Sequence, residues 1–275
     1  MFITIINDSN DDNAKARQET RYATLFPRTH ISYVGIDSSL GIKATIETAG
    51  NLIDVLDAAG GEKGVIAVNV APRGQVEIDG NNGSKFCYFW VRDTLVVSTI
   101  KGYNLSLIKK FQLTKHINIL ETNHVLDFAE SKGLITKNLN NHVANTQFRS
   151  FDFQPRVAKW LMDGHKLPRK KFAVNELPDI PPSVWFIDSF GNIKTTLTEA
   201  DLPSITPGVV LRLRPQGVKL NYYNRMKDVP DGETALITGS SGFGKNRFLE
   251  LITQNRTGES AKNFNLKIGD EITIV

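Results

Sequence analysis

The sequence predicts an α/β N-terminal domain with a largely parallel sheet, followed by a smaller all-β, barrel-like C-terminal domain. Three observations predict it. Strand-type and helix-type runs alternate through the first seventy residues. Prolines crowd the segment that follows His165. After that segment the apolar runs are short, β-branched and divided by Gly, Pro and Asp turns. Alternation of strand and helix calls for a parallel sheet with crossover helices, and evenly spaced short strands call for a barrel or sandwich.

In chain order, "FITIIN" is the first strand, closed by the polar turn "DSNDDN". "AKARQETRYATLF" is helical in composition, and Pro27 stops it. "HISYVGID" is the second strand. "IKATIETAGNLIDVLDAAGG" spaces its apolar residues for a helix and ends on Gly60-Gly61. "GVIAVNVAP" is the third strand, "KFCYFWVRDTLVVSTI" a strand pair, and "GYNLSLIKKF" and "RVAKWLMDGHK" are helices. Pro168, Pro178, Pro181 and Pro182 exclude a central strand or a helix interior. The expected division is residues 1–166, a linker over 167–182, and residues 183–275. Beyond it, "SVWFIDSFGNIKTTLT", "GVVLRLRPQGVKLNYY", "ETALITGSS", "RFLELITQ" and "DEITIV" supply the strands of the second domain.

The bulk numbers exclude several classes. With 275 residues, 40% hydrophobic and 23% charged, the chain can bury a sizeable core without cross-links. The net charge of +4 is spread out, and the run Pro168-Arg169-Lys170-Lys171 has no aromatic-rich motif beside it. It reads as a solvated segment rather than a nucleic-acid patch. The N-terminus lacks a basic leader, and no apolar run has membrane-spanning length. The single Cys87 lies in an apolar run and reads as core in a reducing, cytoplasmic setting. Trp90, Trp160 and Trp185 read as core. The five histidines show no metal-ligand spacing, so no catalytic metal is expected.

"GSSGFGKN", Gly239 to Asn246, has the glycine–lysine skeleton of a phosphate-binding P-loop. That motif ends in Ser or Thr, whose hydroxyl meets Mg²⁺, and joins a strand to a helix. Here the last position is Asn246, and 31 residues follow Gly244. A nucleotide-binding P-loop therefore stands as an alternative to a surface loop carrying Lys245 and Arg247.

Four segments, in order, carry a resemblance. "FIDSFGN", "GSSGF" and "NLKIGDEITIV" resemble the C-terminal domain of the S-adenosylmethionine (SAM) hydroxide adenosyltransferase family, which also contains the SAM-dependent fluorinase and chlorinase. Asp188, Phe190, Gly191 and Asn192 match its D-x-F-G-N turn. Ser240, Gly242 and Phe243 match its N-S-x-G-Y loop, with Gly239 in place of Asn, and "GKNR" then looks like an insertion. In the N-terminal half, Asp8 falls on the family's T-D acid. "QFRSFDFQPRVAKWLMDG" shares Phe148, Asp152, Phe153, Pro155, Ala158, Leu161 and Gly164 with the family segment.

The resemblance implies displacement at C5′ of SAM with release of methionine, by water or halide, in a homotrimer that uses a small nucleoside substrate and neither nucleic acid nor membrane. It also marks departures. The hydroxide-transferring members use an Asp–Arg–His triad. Ala71 stands at the Asp position, only Pro72 of that stretch is shared, Arg73 is out of register, and Arg149 replaces the His. Ser150 falls where the halogenases carry serine. Ser150 and Arg149 are thus the catalytic candidates, and a member that binds without turnover is an alternative reading.

Each substrate-binding candidate has two readings. Asp8 can accept both ribose hydroxyls or cap the following helix. Asp188 can pair with the methionine ammonium or serve as a turn acid. Asn192 can meet the adenine edge or hold a turn, and Phe190 can stack on adenine or fill the core, the latter being the stronger expectation. Ser240 and Ser241 can bind the methionine carboxylate or be loop serines.

Overall fold

The computed structural model describes residues 1–71, 84–202, 205–214 and 217–275. It comprises two compact units, Met1–Pro178 and Asp179–Val275. The first contains β1 (Phe2–Asn7), α1 (Asp12–Leu25), β2 (His30–Gly35), α2 (Ala44–Ala59), β3 (Gly64–Asn69), β4 (Phe86–Val91), β5 (Thr94–Thr99), α3 (Ser106–Lys110), β6 (His116–Leu120), α4 (Thr122–Ser131), α5 (Lys137–Asn145), α6 (Arg149–Asp152), α7 (Gln154–Met162) and β7 (Lys170–Ala173).

Its sheet runs β2-β1-β3-β5-β4-β6-β7. The first four strands are mutually parallel; β4 and β7 run against the other five. The parallel sheet expected from the sequence is present. β1 connects through α1 to β2 on one side, and β2 connects through α2 to β3 on the other. Right-handed crossovers in opposite directions place α1 and α2 on opposite faces. Consistent with this, Ile3, Ile5, Val65, Ala67, Leu95 and Val97 share one buried cluster with Tyr22 of α1 and with Val157, Trp160 and Leu161 of α7. α2 buries Leu52, Ile53 and Leu56 elsewhere, against β1 and β3. The order of β2, β1 and β3 puts a crevice at the carboxyl ends of β1 and β3, where the chain direction switches.

The second unit contains β8 (Val184–Ile187), β9 (Ile193–Thr198), β10 (Val210–Arg214), β11 (Val218–Tyr223), β12 (Thr234–Phe243), β13 (Asn246–Thr253), α8 (Glu259–Phe264) and β14 (Thr273–Ile274). Its seven-stranded sheet, β14-β10-β11-β12-β13-β9-β8, curls into a half-barrel. The two edges approach one another: Ser183 bridges Glu271, and Val184 N–H donates to Asp270 O. The curl encloses Leu213, Leu220, Leu236, Leu249, Leu251 and Phe264.

Several readings need correction. "GSSGFGKN" is no P-loop: β12 turns back at Gly244 into antiparallel β13, and Phe243 pairs Asn246. No helix follows the lysine, so there is no helix N-terminus to receive phosphate. Trp90, the penultimate residue of β4, is 39% exposed rather than core; Trp160 and Trp185 are core. Phe190 is 64% exposed rather than core, because it sits at the apex of a tight turn. The segment read as a linker contains β7, which pairs β6 as an edge strand. An edge position tolerates neighbouring prolines, and Lys170 and Lys171 keep it exposed to water. Cys87 is fully buried, and burial pushes its thiol pKa up, as suits an inert core residue.

Candidate functional site

The carboxyl end of β1 leads directly into a cavity of about 410 Å³ within the N-terminal unit. Asp8, Asp11, Arg17, Ser38, Phe148 and Ser150 are among the residues that line it. They come from the β1–α1 loop, the first turns of α1, the stretch after β2, and the start of α6. The cavity volume falls in the range of small-ligand pockets, and a crevice at strand carboxyl ends is where open α/β sheets bind ligands.

Asp8 is fixed by the strand beside it. Its N–H donates to Asn69 O at 3.2 Å, and its Oδ2 accepts from Ala71 N–H at 2.8 Å. Ala71 is the residue at the resembled family's Asp position, and it holds Asp8 in place. Asp8 does not cap α1; Asp11 does, accepting from Ala14 N–H at 3.0 Å.

A buried polar network underlies the loop. Asn7 Nδ2 donates to Gln18 Oε1 at 2.7 Å, and Asn7 Oδ1 accepts from Asn69 Nδ2 and Ser9 N–H. Tyr33 OH donates to Ser9 O at 2.6 Å. Burial raises the Tyr33 pKa first, and the charges of Asp8 and Asp11 add to it, so the phenol stays protonated as a donor. The network satisfies the loop internally and leaves its shape set before any ligand arrives.

The aromatic wall is built by cations. The Arg17 guanidinium lies 5.6 Å from the Phe148 ring and 4.6 Å from Phe151, and Arg21 lies 4.5 Å from Phe151. Phe148 is 54% exposed. Beneath it, Asp152 is an anchor: it accepts from Thr146 Oγ1 at 3.0 Å and lies 3.7–3.8 Å from His142, Arg21 and Arg156. Gln154, fully buried, donates from Nε2 to Val68 O and Val97 O at 2.9 Å, pinning α7 across β3 and β5.

Asp8 and Ser150 both line the cavity. Arg149 does not line it. Its guanidinium donates to Ser84 O and Thr122 Oγ1 and packs 5.7 Å from the Phe86 ring. Burial lowers its pKa, but an arginine remains a cation and no general base. Pro72 and Arg73 lie outside the described residues. Among the described residues no group of His, Cys, Asp and Glu suits a metal ion.

In the C-terminal unit, Asp188 folds its own turn. Oδ1 accepts from Phe190 N–H and Asn192 N–H, and Oδ2 accepts from Asn192 Nδ2 at 3.0 Å. Gly191 has φ +82, and its bare Cα lets Gly258 approach. Ser240 is exposed at a bulge in β12, and its carbonyl accepts from Arg247 Nη1 at 3.0 Å. Ser241 is buried and hydrogen-bonded to Lys194 Nζ. The D-x-F-G-N turn and the serine loop are therefore real local structures, with Phe190 and Ser240 exposed.

Sequence reading missed Arg17, Gln18 and Phe151 as site residues. Gln18 gave a signal, being a polar residue on the buried stripe of α1; the position of Arg17 depends on α6, which sequence spacing does not place.

An open sheet with a crevice at the carboxyl ends of its parallel strands defines the α/β domain, which a curled β domain follows in the chain. Residues 182–273 match the model of the SAM hydroxide adenosyltransferase C-terminal domain. Over those residues the chain is thus similar to the SAM hydroxide adenosyltransferase family that the motifs resemble. Two solved structures share the fold over the full length. One is an uncharacterized conserved protein from Thermotoga maritima, 18% identical, with TM-score 0.67 and coverage of 99% of this chain and 100% of that one. The other is a conserved hypothetical protein from Thermus thermophilus, 15% identical, with TM-score 0.57 and coverage of 99% of each. No curated protein matches the sequence significantly. Among the described residues no helix is long and apolar enough to cross a membrane.

Proposed function

We propose that the chain binds SAM or a related adenosine ligand, with the ribose diol held by Asp8 in the N-terminal cavity, and that it belongs to the class of enzymes that displace methionine from C5′. The observation that carries this reading is the fixed Asp8 carboxylate in the cavity at the carboxyl end of β1. A carboxylate accepts two hydroxyl donors well, and charge-assisted bonds of that kind are worth roughly 1.5–3 kcal/mol each. Phe148 offers a face for the base. In the C-terminal domain, Phe190, Asn192 and Ser240 would be the ligand-facing side chains, and Asp188 and Ser241 would shape the two loops.

In the reaction, a nucleophile's electron pair forms a bond to C5′ while the C5′–S bond breaks. The sulfonium keeps that pair and leaves as neutral methionine. Water gives adenosine and a proton; a halide gives the 5′-halo nucleoside and no proton. The sulfonium is already a good leaving group, so the protein's task is alignment and desolvation. Ser150 at the cavity wall would offer its hydroxyl to a nucleophile there, and Ser38 lines the same cavity.

A second reading, binding without turnover, is favoured by one observation. Ala71 contributes only its backbone N–H, and Arg149 is committed to Ser84 and Thr122, so neither can take a proton from water. A homotrimer, with each site drawing on two subunits, remains part of the proposal. A head-to-tail ring of three closes on itself and yields three equal sites, and light scattering measures it.

Incubation with SAM, with and without chloride, followed by separation of nucleosides and methionine, tests the reaction. Methionine release with adenosine or a halonucleoside supports turnover. Unchanged SAM with measurable binding selects the second reading, and neither binding nor turnover overturns both.

A further inference from the structure

We infer that the ligand of the N-terminal cavity carries an anionic group, phosphate or carboxylate, and that Arg17 is the residue that recognises it; this rests on the nucleoside reading above. Arg17 lines two adjoining cavities, the one containing Asp8 and a second of about 390 Å³ along α1. The two share Arg17 and Phe151. Their chemistry differs. The first has two carboxylates, Asp8 and Asp11. The second has Arg17, Arg21, Thr20 and Thr24 on its wall and no acid. A ligand reaching from one to the other meets acceptors for hydroxyl groups at one end and guanidinium donors at the other.

Two arginines one helical turn apart separate structural from recognition roles. Arg21 lies 3.7 Å from buried Asp152 and is 26% exposed, so its charge is balanced inside the fold. Arg17 is exposed, and among the described residues no carboxylate lies within ion-pair distance of it. It is held by the Phe148 and Phe151 rings instead, at 5.6 and 4.6 Å. Stacking fixes the guanidinium plane while leaving its N–H edges to donate. A planar fork of that kind suits carboxylate and phosphate oxygens, which accept from it in pairs. Thr20, on the same wall, adds a hydroxyl; Thr24 donates its own to Arg21 O at 2.9 Å.

The test is calorimetric titration of the whole protein at low salt with adenosine, adenosine 5′-monophosphate and adenosine 5′-carboxylic acid. The wild type is expected to bind at least one anionic nucleoside about tenfold more tightly than adenosine, as a charge-assisted pair allows. Whichever anion wins identifies the group. In Arg17→Gln that preference should collapse toward one, and in Arg17→Lys, which keeps charge but loses the planar fork, it should be intermediate. Melting temperatures of both variants check that the fold is intact. Equal binding of neutral and anionic nucleosides by the wild type, or a preference that survives Arg17→Gln, overturns the Arg17 assignment and leaves the nucleoside reading standing. Failure of all three nucleosides to bind overturns that reading and the assignment with it.

Discussion

The Asp8 loop and the Asp188 turn look alike in sequence, each an aspartate at the end of a strand, yet they use that carboxylate differently. Asp188 accepts three hydrogen bonds from its own turn, two at Oδ1 and one at Oδ2. Asp8 is placed by a neighbouring strand, through Asn69 and Ala71, and lines a cavity. Where a motif's polar atoms are consumed by its own backbone, the motif marks a shape. Where a neighbouring element positions the group beside a cavity, the motif marks a candidate binding site. In the C-terminal turn the exposed side chain is Phe190, not the acid.

The largest expected effect sharpens the shape half of this contrast. In Gly191→Ala the new Cβ would lie 2.5 Å from Gly258 Cα, at a φ of +82. Left-handed strain and overpacking together should cost about 2–4 kcal/mol, read as a lower urea midpoint. A loss under about 0.5 kcal/mol, the scale of an ordinary surface substitution, would mean the turn relaxes and does not dictate its shape.

Phe148→Ala comes next. The ring is 54% exposed, so stability should change little, while nucleoside affinity should fall by about 1 kcal/mol, the scale of an aromatic contact. Unchanged affinity would remove the aromatic wall from the site.

A smaller effect concerns pH. Glu47 on α2 is 7% exposed, and burial, then the charge of Asp37, pushes its carboxyl up to about 7. Its folded pKa exceeds its unfolded one, so the stability it contributes is complete below the ordinary carboxylate range and is lost as pH rises through about 7. The melting temperature should fall between about pH 5 and 8, and Glu47→Gln should flatten that fall. A Gln variant with the wild-type slope would assign the pH dependence elsewhere. The smallest effect is none: Lys245→Ala, at the exposed β12–β13 turn, should leave ligand affinity unchanged, and a large loss would restore a phosphate role to the lysine.

Periodicity and turn residues made most of the fold legible. The strand–helix alternation, the Gly60 stop and the short C-terminal strands depend on local chemistry, and each appears where the residues placed it. Gly60 closes α2 in the left-handed conformation. The "GSSGFGKN" hairpin was ambiguous because "RFLELITQ" suits either helix or strand, and only its pairing with β12 settles it. Asp8 and Ser150 were legible through a resemblance, since 142 positions separate them. Arg17 was not, because its place against Phe148 and Phe151 is a tertiary contact with no local signature. Phe190 was misjudged because aromatic residues are buried on average, whereas a turn apex exposes what it carries.

The most direct measurement is the affinity of adenosine for the wild type and for Asp8→Asn. Asparagine keeps a carbonyl oxygen to accept from Ala71 N–H but loses the charge. If Asp8 holds the ribose, the loop survives with an unchanged melting temperature while affinity falls by roughly tenfold or more. Equal affinity of the two proteins, at equal stability, would contradict the ribose role and return Asp8 to a purely structural one.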